Sequence, residues 1–371
     1  MPNKIKTYDF GLLVVPIILL VIGVSVIYSL VLGTALEYYT MKQAFFGVIG
    51  LLIFGFASFV DYRLYRGMNW LFYLLGIVLL ILVAIFGKTV NGAANWLDLK
   101  FFQLQPSEVV KIVMIVVLGS FFSERVGKLR WKDIAISLVL FLPPLVLVLK
   151  EPDFGSALVL AFIYSVLLLA ARPSKKQLIV ILASFLILVG VFVGAYLKIG
   201  PLSGILKDYQ RQRVVVFLDP EHDPYGRGYN VKQAQIAIGS GGILGRGLGR
   251  GTQSQLQFLP EPHTDFIFAG IAESFGFVGA LVVLLLYGFL MLKLYDCAHL
   301  AQDNFGTLVV MGAAAMFFVQ IVINIGMNLG LMPVTGITLP LLSYGGTSVF
   351  VSFFALGMVE SVFIRHKKIS F

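Results

Sequence analysis

The sequence predicts an all-α polytopic membrane protein with about ten transmembrane helices and one large extracytoplasmic loop between the seventh and the eighth. Of its 371 residues, 58% are hydrophobic and only 13% are charged, and the mean hydropathy is +0.92. A soluble domain of this length does not need so much apolar sequence. The 32 Phe and 38 Gly are typical of helices packed in lipid, where small residues allow close approach.

Apolar runs long enough to cross a membrane recur along the whole chain. The first, Phe10 to Leu32, is longer than the core of a signal peptide and lacks a small-residue cleavage site, so we expect it to be retained. The runs predict ten helices, at 10–32, 43–60, 70–86, 108–122, 134–149, 154–171, 177–197, 264–292, 306–331 and 345–364.

The basic residues indicate the orientation of these helices. With both termini in the cytoplasm, the cytoplasmic segments hold 15 Lys and Arg, and the short loops on the opposite side hold 4. Because positive residues favour the cytoplasmic side, we predict a multi-pass protein with both termini in the cytoplasm. The net charge of +9 comes from short basic blocks between apolar runs, which topology explains better than nucleic-acid binding.

The sequence contains no convincing cofactor motif. Cys297 is the only cysteine, which excludes an internal disulfide and a Cys-based zinc cluster, and the four histidines are scattered along the chain. Gly87-Lys88-Thr89 resembles the end of a phosphate-binding loop, but Leu82 stands where the leading glycine must be. We therefore predict no organic cofactor and no metal site built by the protein.

The most informative stretch is PEPHTDFIF at 260–268, where the longest polar segment gives way to an apolar run. We expect a helix to begin near Pro262, a favoured first position, and to carry Asp265 about one turn into the apolar zone, after Glu261 and His263. Desolvation of this carboxylate and the opposing helix dipole together suit a group that takes up a proton near neutral pH. A helix-capping acid paired with a neighbouring Lys or Arg explains the position equally well.

Three other ionisable residues are predicted to lie at the depth of Asp265. Glu108 and Lys111, three residues apart on one face, begin the fourth predicted helix, and Asp153 begins the sixth. We expect no comparable group in the cytoplasmic half. Glu273, about 12 Å deeper than Asp265 along the eighth helix, is interpreted as a packing acid, with a second functional carboxylate as the alternative. A local ion pair that stabilises packing is the alternative interpretation of Glu108 and Lys111.

The extracytoplasmic loop, 198–262, is long enough to be exempt from the charge rule. It carries eight Lys and Arg, which suit a phosphate-bearing lipid, although a solvated basic loop has the same composition. Its glycine-dense segment, 239–251, is compatible with an anion cradle of backbone N–H groups and equally with a flexible re-entrant loop.

Residue types alone leave three function classes open. A carboxylate base beside cations can deprotonate a sugar hydroxyl while Lys or Arg holds a phosphate leaving group. The same groups can form a proton-coupled path, as in a lipid flippase, for which charged residues are expected at both faces. A scaffold for other proteins needs no charge in the hydrocarbon at all. The predicted gathering of charge at the outer end favours the enzyme.

Four stretches of the chain resemble the SEDS family (shape, elongation, division and sporulation) of bacterial membrane proteins. They are WLDLKFFQLQPSEVVKI at 96–112, EPDFGSAL at 151–158, the segment from YQRQR to PHTDFIF at 209–268, and GLMPVTGITLPLLSYGGTS at 330–348. With the ten-span layout they cover essentially the whole chain, so we expect one domain, 1–371. YQRQR and GTQSQLQFLPE are similar to the RodA branch of the family rather than the division branch.

The resemblance implies a peptidoglycan glycosyltransferase of the bacterial cytoplasmic membrane that polymerises lipid II on the outer face during cell elongation. It also implies a class B penicillin-binding protein as partner. A divalent cation, Mg²⁺ or Mn²⁺, is compatible with this chemistry. The essential aspartate of the family falls on Asp265, which we predict as the catalytic base. We predict the following substrate-binding residues: Lys111, Glu108, Arg211, Arg213, Asp153, Glu261 and His263.

Overall fold

The computed structural model describes residues 8–90, 93–98, 102–197, 199, 211, 215–219, 222–223, 226–256, 258 and 261–366. The helices with described bounds are α1 Phe10–Val31, α2 Tyr38–Phe59, α3 Tyr62–Gly67, α4 Asn69–Phe86, α5 Pro106–Ser123, α6 Trp131–Lys150, α7 Phe154–Ala170, α8 Lys175–Tyr196, α9 Arg227–Gly241, α10 Thr252–Gln255, α11 Ile267–Leu300, α12 Asn304–Asn328 and α13 Gly346–Ile364. Three short strands, β1 Lys88–Val90, β2 Ala93–Asp98 and β3 Gln103–Leu104, separate α4 from α5.

Ten of the described helices account for the predicted spans. Nine have at least 18 residues and are apolar enough to cross a membrane, while α7 is slightly shorter, with 17 residues. At 1.5 Å per residue, 18 residues reach about 27 Å, close to the thickness of the hydrocarbon layer. The predicted polytopic helical fold is therefore confirmed. The long segment between α8 and α11, predicted as a loop, contains α9 and α10.

The helix α11 is broken at Gly276, which has φ 67° and ψ −164°. The break leaves backbone groups of α11 without helical partners, and the glycine-rich segment after α9 binds them. The N–H groups of Arg246 and Gly247 donate to the carbonyls at 273 and 274 at 2.9 and 3.0 Å, and the carbonyls at 242 and 243 accept the N–H groups at 277 and 278. The N–H groups of Arg246 and Gly247 are therefore used inside the protein and are not available to an anion.

A small antiparallel sheet in the order β1-β2-β3 was not predicted, since its short strands occupy a loop between two spans. Leu97 pairs with Leu104, and the sheet leads directly into α5. Thr347, in the first turn of α13, accepts the N–H of Gln105 at 3.2 Å and donates to the carbonyl of Gln103 at 3.0 Å. The sheet thereby ties the start of α5 to the start of α13.

The bundle packs around α5, α12 and α13, most of whose residues are buried. Small residues permit the closest approaches, as is usual between membrane helices. A Cβ added at Gly357 of α13 would lie 2.6 Å from the carbonyl oxygen of Phe54 in α2. The helix α8, by contrast, is largely exposed.

One end of the bundle, which we call the site end, is where α5, α7, α11 and α13 begin and α12 finishes. Side-chain contacts join these helix ends. Ser107 of α5 donates to Asp153 before α7 at 2.8 Å, and Asn328 of α12 accepts the N–H of Ala269 in α11 at 3.1 Å. Most of the predicted site residues lie at this end.

Candidate active site

Asp265 lies on a non-helical turn, 262–266, immediately before α11. We expected the helix to begin near Pro262 with Asp265 inside it, and this expectation is wrong, because α11 begins at Ile267. In a continuous helix, the carbonyls at 263 to 265 would accept N–H groups four residues ahead. In the structure they accept donors from distant parts of the chain, so the turn is held outside the helix.

Three successive carbonyls of this turn are bound in this way. The carbonyl of His263 accepts the N–H of Tyr344 at 2.8 Å, and that of Thr264 accepts the Ser343 hydroxyl at 2.6 Å. Two α12 carboxamides donate to the carbonyl of Asp265 at 3.0 and 3.1 Å. The backbone that carries the Asp265 carboxylate is therefore fixed from the 330–345 segment and from α12.

The carboxylate of Asp265 is half-buried and faces the backbone of Gly336. A Cβ added at Gly336, where φ is 77°, would lie 3.6 Å from Asp265 Oδ2. Burial, and then the negative charge of Glu261, raise the pKa of Asp265 to about 6, while the hydrogen bond from the Thr264 side chain acts in the opposite direction. The carboxylate is ionised at neutral pH, yet it is a stronger base than an exposed aspartate.

Glu108 and Lys111 form a buried ion pair in the first turns of α5, with 2.5 Å between Lys111 Nζ and Glu108 Oε1. The amide of Gln320, on α12, satisfies both of its groups when its oxygen accepts from Lys111 Nζ at 3.0 Å and its nitrogen donates to the carbonyl of Met316 at 3.3 Å. The ammonium is thus enclosed by two side-chain acceptors from two helices.

Asp153 connects the beginnings of α5 and α7. Its carboxylate accepts the N–H of Ser156 at 2.9 Å as a helix cap, and it also accepts the Ser107 hydroxyl at 2.8 Å and the Gln105 amide at 3.2 Å. These contacts hold Asp153 as a structural link between helix ends.

The start of α7 packs against the segment that faces Asp265. A Cβ added at Gly155 would lie 2.6 Å from Ile337 Cγ1 and 3.1 Å from the carbonyl oxygen of Thr335. Because Gly336 stands between these two residues and beside Asp265, the Asp153 and Asp265 regions are neighbours.

Glu151 is a site-end carboxylate that the sequence analysis did not single out. It is buried, and neither of its carboxylate oxygens has a hydrogen-bond partner among the described residues. Burial, and then the charge of Asp153, raise its pKa to about 8. At neutral pH Glu151 is therefore mostly protonated and able to donate a hydrogen bond.

His263 and Glu261 flank Asp265 on the same turn. Glu261 is exposed, and its Oε2 lies 3.6 Å from His263 Nε2. His263 is buried beside the Tyr39 ring of α2, with 4.9 Å between ring centroids, and burial lowers its pKa. We therefore take His263 as neutral at pH 7.

The other predicted residues differ in how far the structure places them. The Arg211 guanidinium lies 5.9 Å above the ring of Tyr196 at the end of α8, and no contact in the described part of the chain joins it to Asp265. Arg213 lies outside the described residues. Glu273 is fully buried, and its Oε1 accepts the N–H of Gln253 at 2.8 Å.

A second cluster of charge lies at the opposite end of the bundle. Lys293 Nζ is 3.0 Å from Asp9 Oδ2, and fully buried Glu360 accepts the N–H of Asp9 at 3.0 Å. The expectation that this half offers no comparable group is therefore wrong. Glu360 lies within the last apolar run, and its donor comes from the other end of the sequence.

An apolar cavity of about 250 Å³ lies between α2, α4, α5 and α13. Its walls include Phe72, Phe102, Phe350 and Phe354, and Thr347 is a polar residue of the lining. Thr347 also binds the backbone at the start of α5, so the cavity extends from the site end into the membrane-spanning region.

Sequence reasoning missed three buried carboxamides of α12, namely Gln320, Asn324 and Asn328. They stand four residues apart, which places them on one face of the helix. This spacing, within an otherwise apolar span, was a signal available in the sequence.

The chain matches the family model FTSW_RODA_SPOVE, a cell cycle protein, over residues 7–368. It is 38% identical to the peptidoglycan glycosyltransferase MrdB of Escherichia coli K12 over 376 residues, which cover 100% of this chain and 98% of MrdB.

Two solved structures have the same fold. A chain of a peptidoglycan synthase complex that coordinates polymerization and crosslinking superposes with a TM-score of 0.80 and 31% identity, covering 97% of this chain and 98% of that one. The rod shape determining protein RodA of Thermus thermophilus gives a TM-score of 0.69 and 29% identity, with 96% of both chains covered. The family resemblance predicted from four sequence stretches is confirmed, and the chain belongs to the FtsW/RodA/SpoVE family of cell cycle proteins.

Proposed function

We propose that this protein is a peptidoglycan glycosyltransferase that polymerises lipid II into β-1,4 glycan strands during cell elongation. The names of its relatives support the reaction class. The mechanism rests on the environment of the Asp265 carboxylate. This group is half-buried, its backbone is held by hydrogen bonds from distant residues, and burial raises its pKa to about 6. A base with a pKa slightly below the working pH combines the ionised form with useful basicity.

In this mechanism, Asp265 accepts the proton of the 4-hydroxyl of the acceptor N-acetylglucosamine. That oxygen forms a bond to the anomeric carbon of the donor N-acetylmuramic acid. The bond from this carbon to the α-linked undecaprenyl pyrophosphate breaks, and the pyrophosphate leaves with the electron pair from the opposite face. One displacement therefore inverts the configuration and produces the β-linkage.

The basic side chains are assigned to neutralising the negative charge of the departing pyrophosphate. Arg211 and Arg213, from the long loop, are the proposed direct ligands, because guanidinium groups bind phosphate oxygens in a bidentate manner. Lys111 is enclosed by Glu108 and Gln320, so we assign it no direct contact with the substrate. Its positive charge would stabilise the departing pyrophosphate from a distance, and Glu108 would orient it.

The remaining polar residues are assigned to the sugars. Glu261 and His263 share the turn of Asp265, which suits contacts with the acceptor near its 4-hydroxyl. Asp153 holds the starts of α5 and α7 together, and Glu151 next to it offers a protonated carboxyl as a donor to a substrate oxygen.

A divalent cation is assigned to the substrate rather than to the protein. No group of three His, Cys, Asp or Glu side chains in the described ranges is close enough to hold a metal ion, so these residues do not fit a protein-built Mg²⁺ or Mn²⁺ site. The pyrophosphate oxygens are hard ligands that such cations prefer.

The apolar cavity between α2, α4, α5 and α13 is proposed to hold a segment of a polyprenyl tail. Its apolar walls suit a hydrocarbon chain, and Thr347 places one part of its lining at the site end, where Asp265 also lies. The site end would then face the outside of the cytoplasmic membrane, with both termini in the cytoplasm. The proposed partner is a class B penicillin-binding protein, since one solved relative belongs to a peptidoglycan synthase complex.

The test is glycan synthesis by purified protein from purified lipid II with a divalent cation, in detergent and without a membrane potential. Asp265→Ala and Asp265→Asn should abolish glycan chains and leave the protein folded. Asp296→Asn is the matched control, because Asp296 is an exposed aspartate near the other end of α11. Full synthesis by Asp265→Asn would remove this residue from the mechanism.

A lipid II transporter is the second candidate, and one observation favours it. Charged clusters at both ends of the bundle, Asp265 with its neighbours and Glu360 with Asp9 and Lys293, are what a transport path requires. Glycan chains in the detergent assay would identify the enzyme. Absence of chains together with translocation of lipid II across vesicles would identify the transporter.

A further inference from the structure

A stripe of three carboxamide side chains runs along one face of α12. Gln320 is 2% exposed, and Asn324 and Asn328 are 0% exposed. The burial of an amide is costly unless its hydrogen-bonding groups are satisfied. The partners of these side chains therefore indicate what the stripe holds in place.

Asn324 and Asn328 converge on one atom, the carbonyl oxygen of Asp265. Their Nδ2 atoms donate to it at 3.0 and 3.1 Å. Asn324 also donates to the carbonyl of Ile337 at 2.7 Å, so it joins the Asp265 turn to the segment that the carboxylate faces. Asn328 accepts the N–H of Ala269 at 3.1 Å, which fixes the first turn of α11.

The next residue of the stripe reaches the other charged group of the site. Gln320, one helical turn before Asn324, accepts from Lys111 Nζ at 3.0 Å. A single rigid helix face therefore contacts both the Glu108–Lys111 pair and the Asp265 turn. Because a straight helix keeps its i and i+4 side chains at a fixed spacing, α12 sets the separation between these two parts of the site.

We propose that Asn324 and Asn328 are positioning residues that hold the Asp265 carboxylate at the distance and direction needed for proton transfer. The proposal rests on the function assigned to Asp265 above. The turn 262–266 has no helical hydrogen bonds of its own at positions 263 to 265, so the α12 donors replace them at Asp265. Loss of both donors leaves this carbonyl free to rotate, and the attached carboxylate moves with it.

The test compares two double variants of α12 in purified lipid II polymerisation. Asn324→Ala/Asn328→Ala removes both donors to Asp265. Ile323→Ala/Met327→Ala removes two neighbouring buried side chains of α12 that have no group able to donate to the Asp265 carbonyl, and it leaves the carboxamides in place. Apparent melting temperature, maximal rate and KM for lipid II are measured for both.

We expect the asparagine pair to lose about 100-fold in maximal rate with a KM within about threefold of wild type, because a catalytic group displaced by about 1 Å costs a factor of this size. The Ile323/Met327 pair should melt earlier but keep its maximal rate within about threefold. Each single asparagine variant should lose much less than about tenfold in maximal rate, the loss expected if the two donors acted independently, because the second donor still holds the carbonyl.

Three results would overturn the proposal. The first is a double asparagine variant with a maximal rate equal to that of the Ile323/Met327 variant. The second is a rise in KM alone, which would indicate substrate binding. If the double alanine variant is not monodisperse, the double variant Asn324→Leu/Asn328→Leu decides instead, because leucine is close to asparagine in size and has no N–H donor. An unchanged maximal rate in that double variant is the third result.

The assay also separates this proposal from the function on which it rests. If Asp265→Asn is inactive and the asparagine variants retain wild-type rates, only the positioning role fails. If Asp265→Asn makes full-length glycan, the base assignment fails and the positioning role fails with it.

Discussion

The buried Glu108–Lys111 pair permits a test of whether this charge serves packing or the reaction. Lys111 and Glu108 have side chains that are 1% and 6% exposed, with 2.5 Å between Nζ and Oε1. For unit charges at this distance, an effective dielectric constant of about 20 gives an attraction of roughly 7 kcal/mol. In Glu108→Gln the ammonium keeps only carboxamide oxygens as partners. We expect the free energy of unfolding to fall by about 3 to 5 kcal/mol, since one charge remains buried without its counter-charge.

A second variant separates stability from activity. Glu108→Gln/Lys111→Gln removes both charges and leaves no uncompensated charge, so we expect most of the lost stability to return. If the pair serves packing alone, this double variant makes glycan at a near wild-type rate. If the Lys111 charge stabilises the departing pyrophosphate, the stable double variant remains slower by about 100-fold, the usual effect of one electrostatic group in an active site.

The measurement uses a thiol-reactive fluorescent dye, because Cys297 is the only cysteine and is buried until the protein unfolds. Glu124→Gln, which breaks an exposed pair with Arg66, is the control and should change stability by at most about 1 kcal/mol. A Glu108→Gln variant as stable as wild type would refute the reasoning about buried charge. A stable double variant with wild-type synthesis would remove Lys111 from the mechanism.

Three further predictions concern the turn of Asp265 and the break in α11. Because the pKa of Asp265 is raised to about 6, the carboxylate is ionised above this pH and becomes protonated as the pH falls through it. The rate of glycan synthesis, measured between pH 5 and 8, should therefore fall on the acid side with a midpoint near the pKa of Asp265. Glu261→Gln should move this midpoint to lower pH, because it removes a neighbouring negative charge. Gly336→Ala adds a methyl group 3.6 Å from Asp265 Oδ2, at a residue whose φ of 77° disfavours alanine. The rate of glycan synthesis should fall at least about tenfold, because the backbone beside the carboxylate must shift. An unchanged rate would show that the position of Asp265 beside Gly336 is not the one used in the reaction. Gly276→Ala places a Cβ 2.3 Å from the nitrogen of Gly245 and should lower the melting temperature. Gly288→Ala adds a Cβ that meets no described atom within 4 Å beyond its own stretch of helix backbone, so it should leave the melting temperature equal or higher. Equal melting temperatures for the two variants would contradict the break in α11.

The ten spans were predictable because hydropathy over about twenty residues is a local property. The start of α11 was not. Pro262 is a favoured first helical residue, yet the carbonyls at 263 to 265 are occupied by donors 59 to 81 positions away, such as the Asn324 amide and the Ser343 hydroxyl. The break at Gly276 likewise depends on the segment 242–247, whose backbone groups pair with those on both sides of the break. No local pattern reports such partners, so helix boundaries at the site were the part most exposed to error.

The same contrast explains which site residues could be found from the sequence. Asp265, Glu108 and Lys111 stood out because a charge in an apolar run is costly and rare. Asn324 and Asn328 produced a weaker signal, since a neutral amide lowers the hydropathy of a span only slightly. Once buried, however, they need hydrogen-bond partners, because an unpaired amide in an apolar interior is costly. In this bundle, charged residues thus point to the proposed active site, and the regularly spaced carboxamides of α12 point to what holds its turn in position.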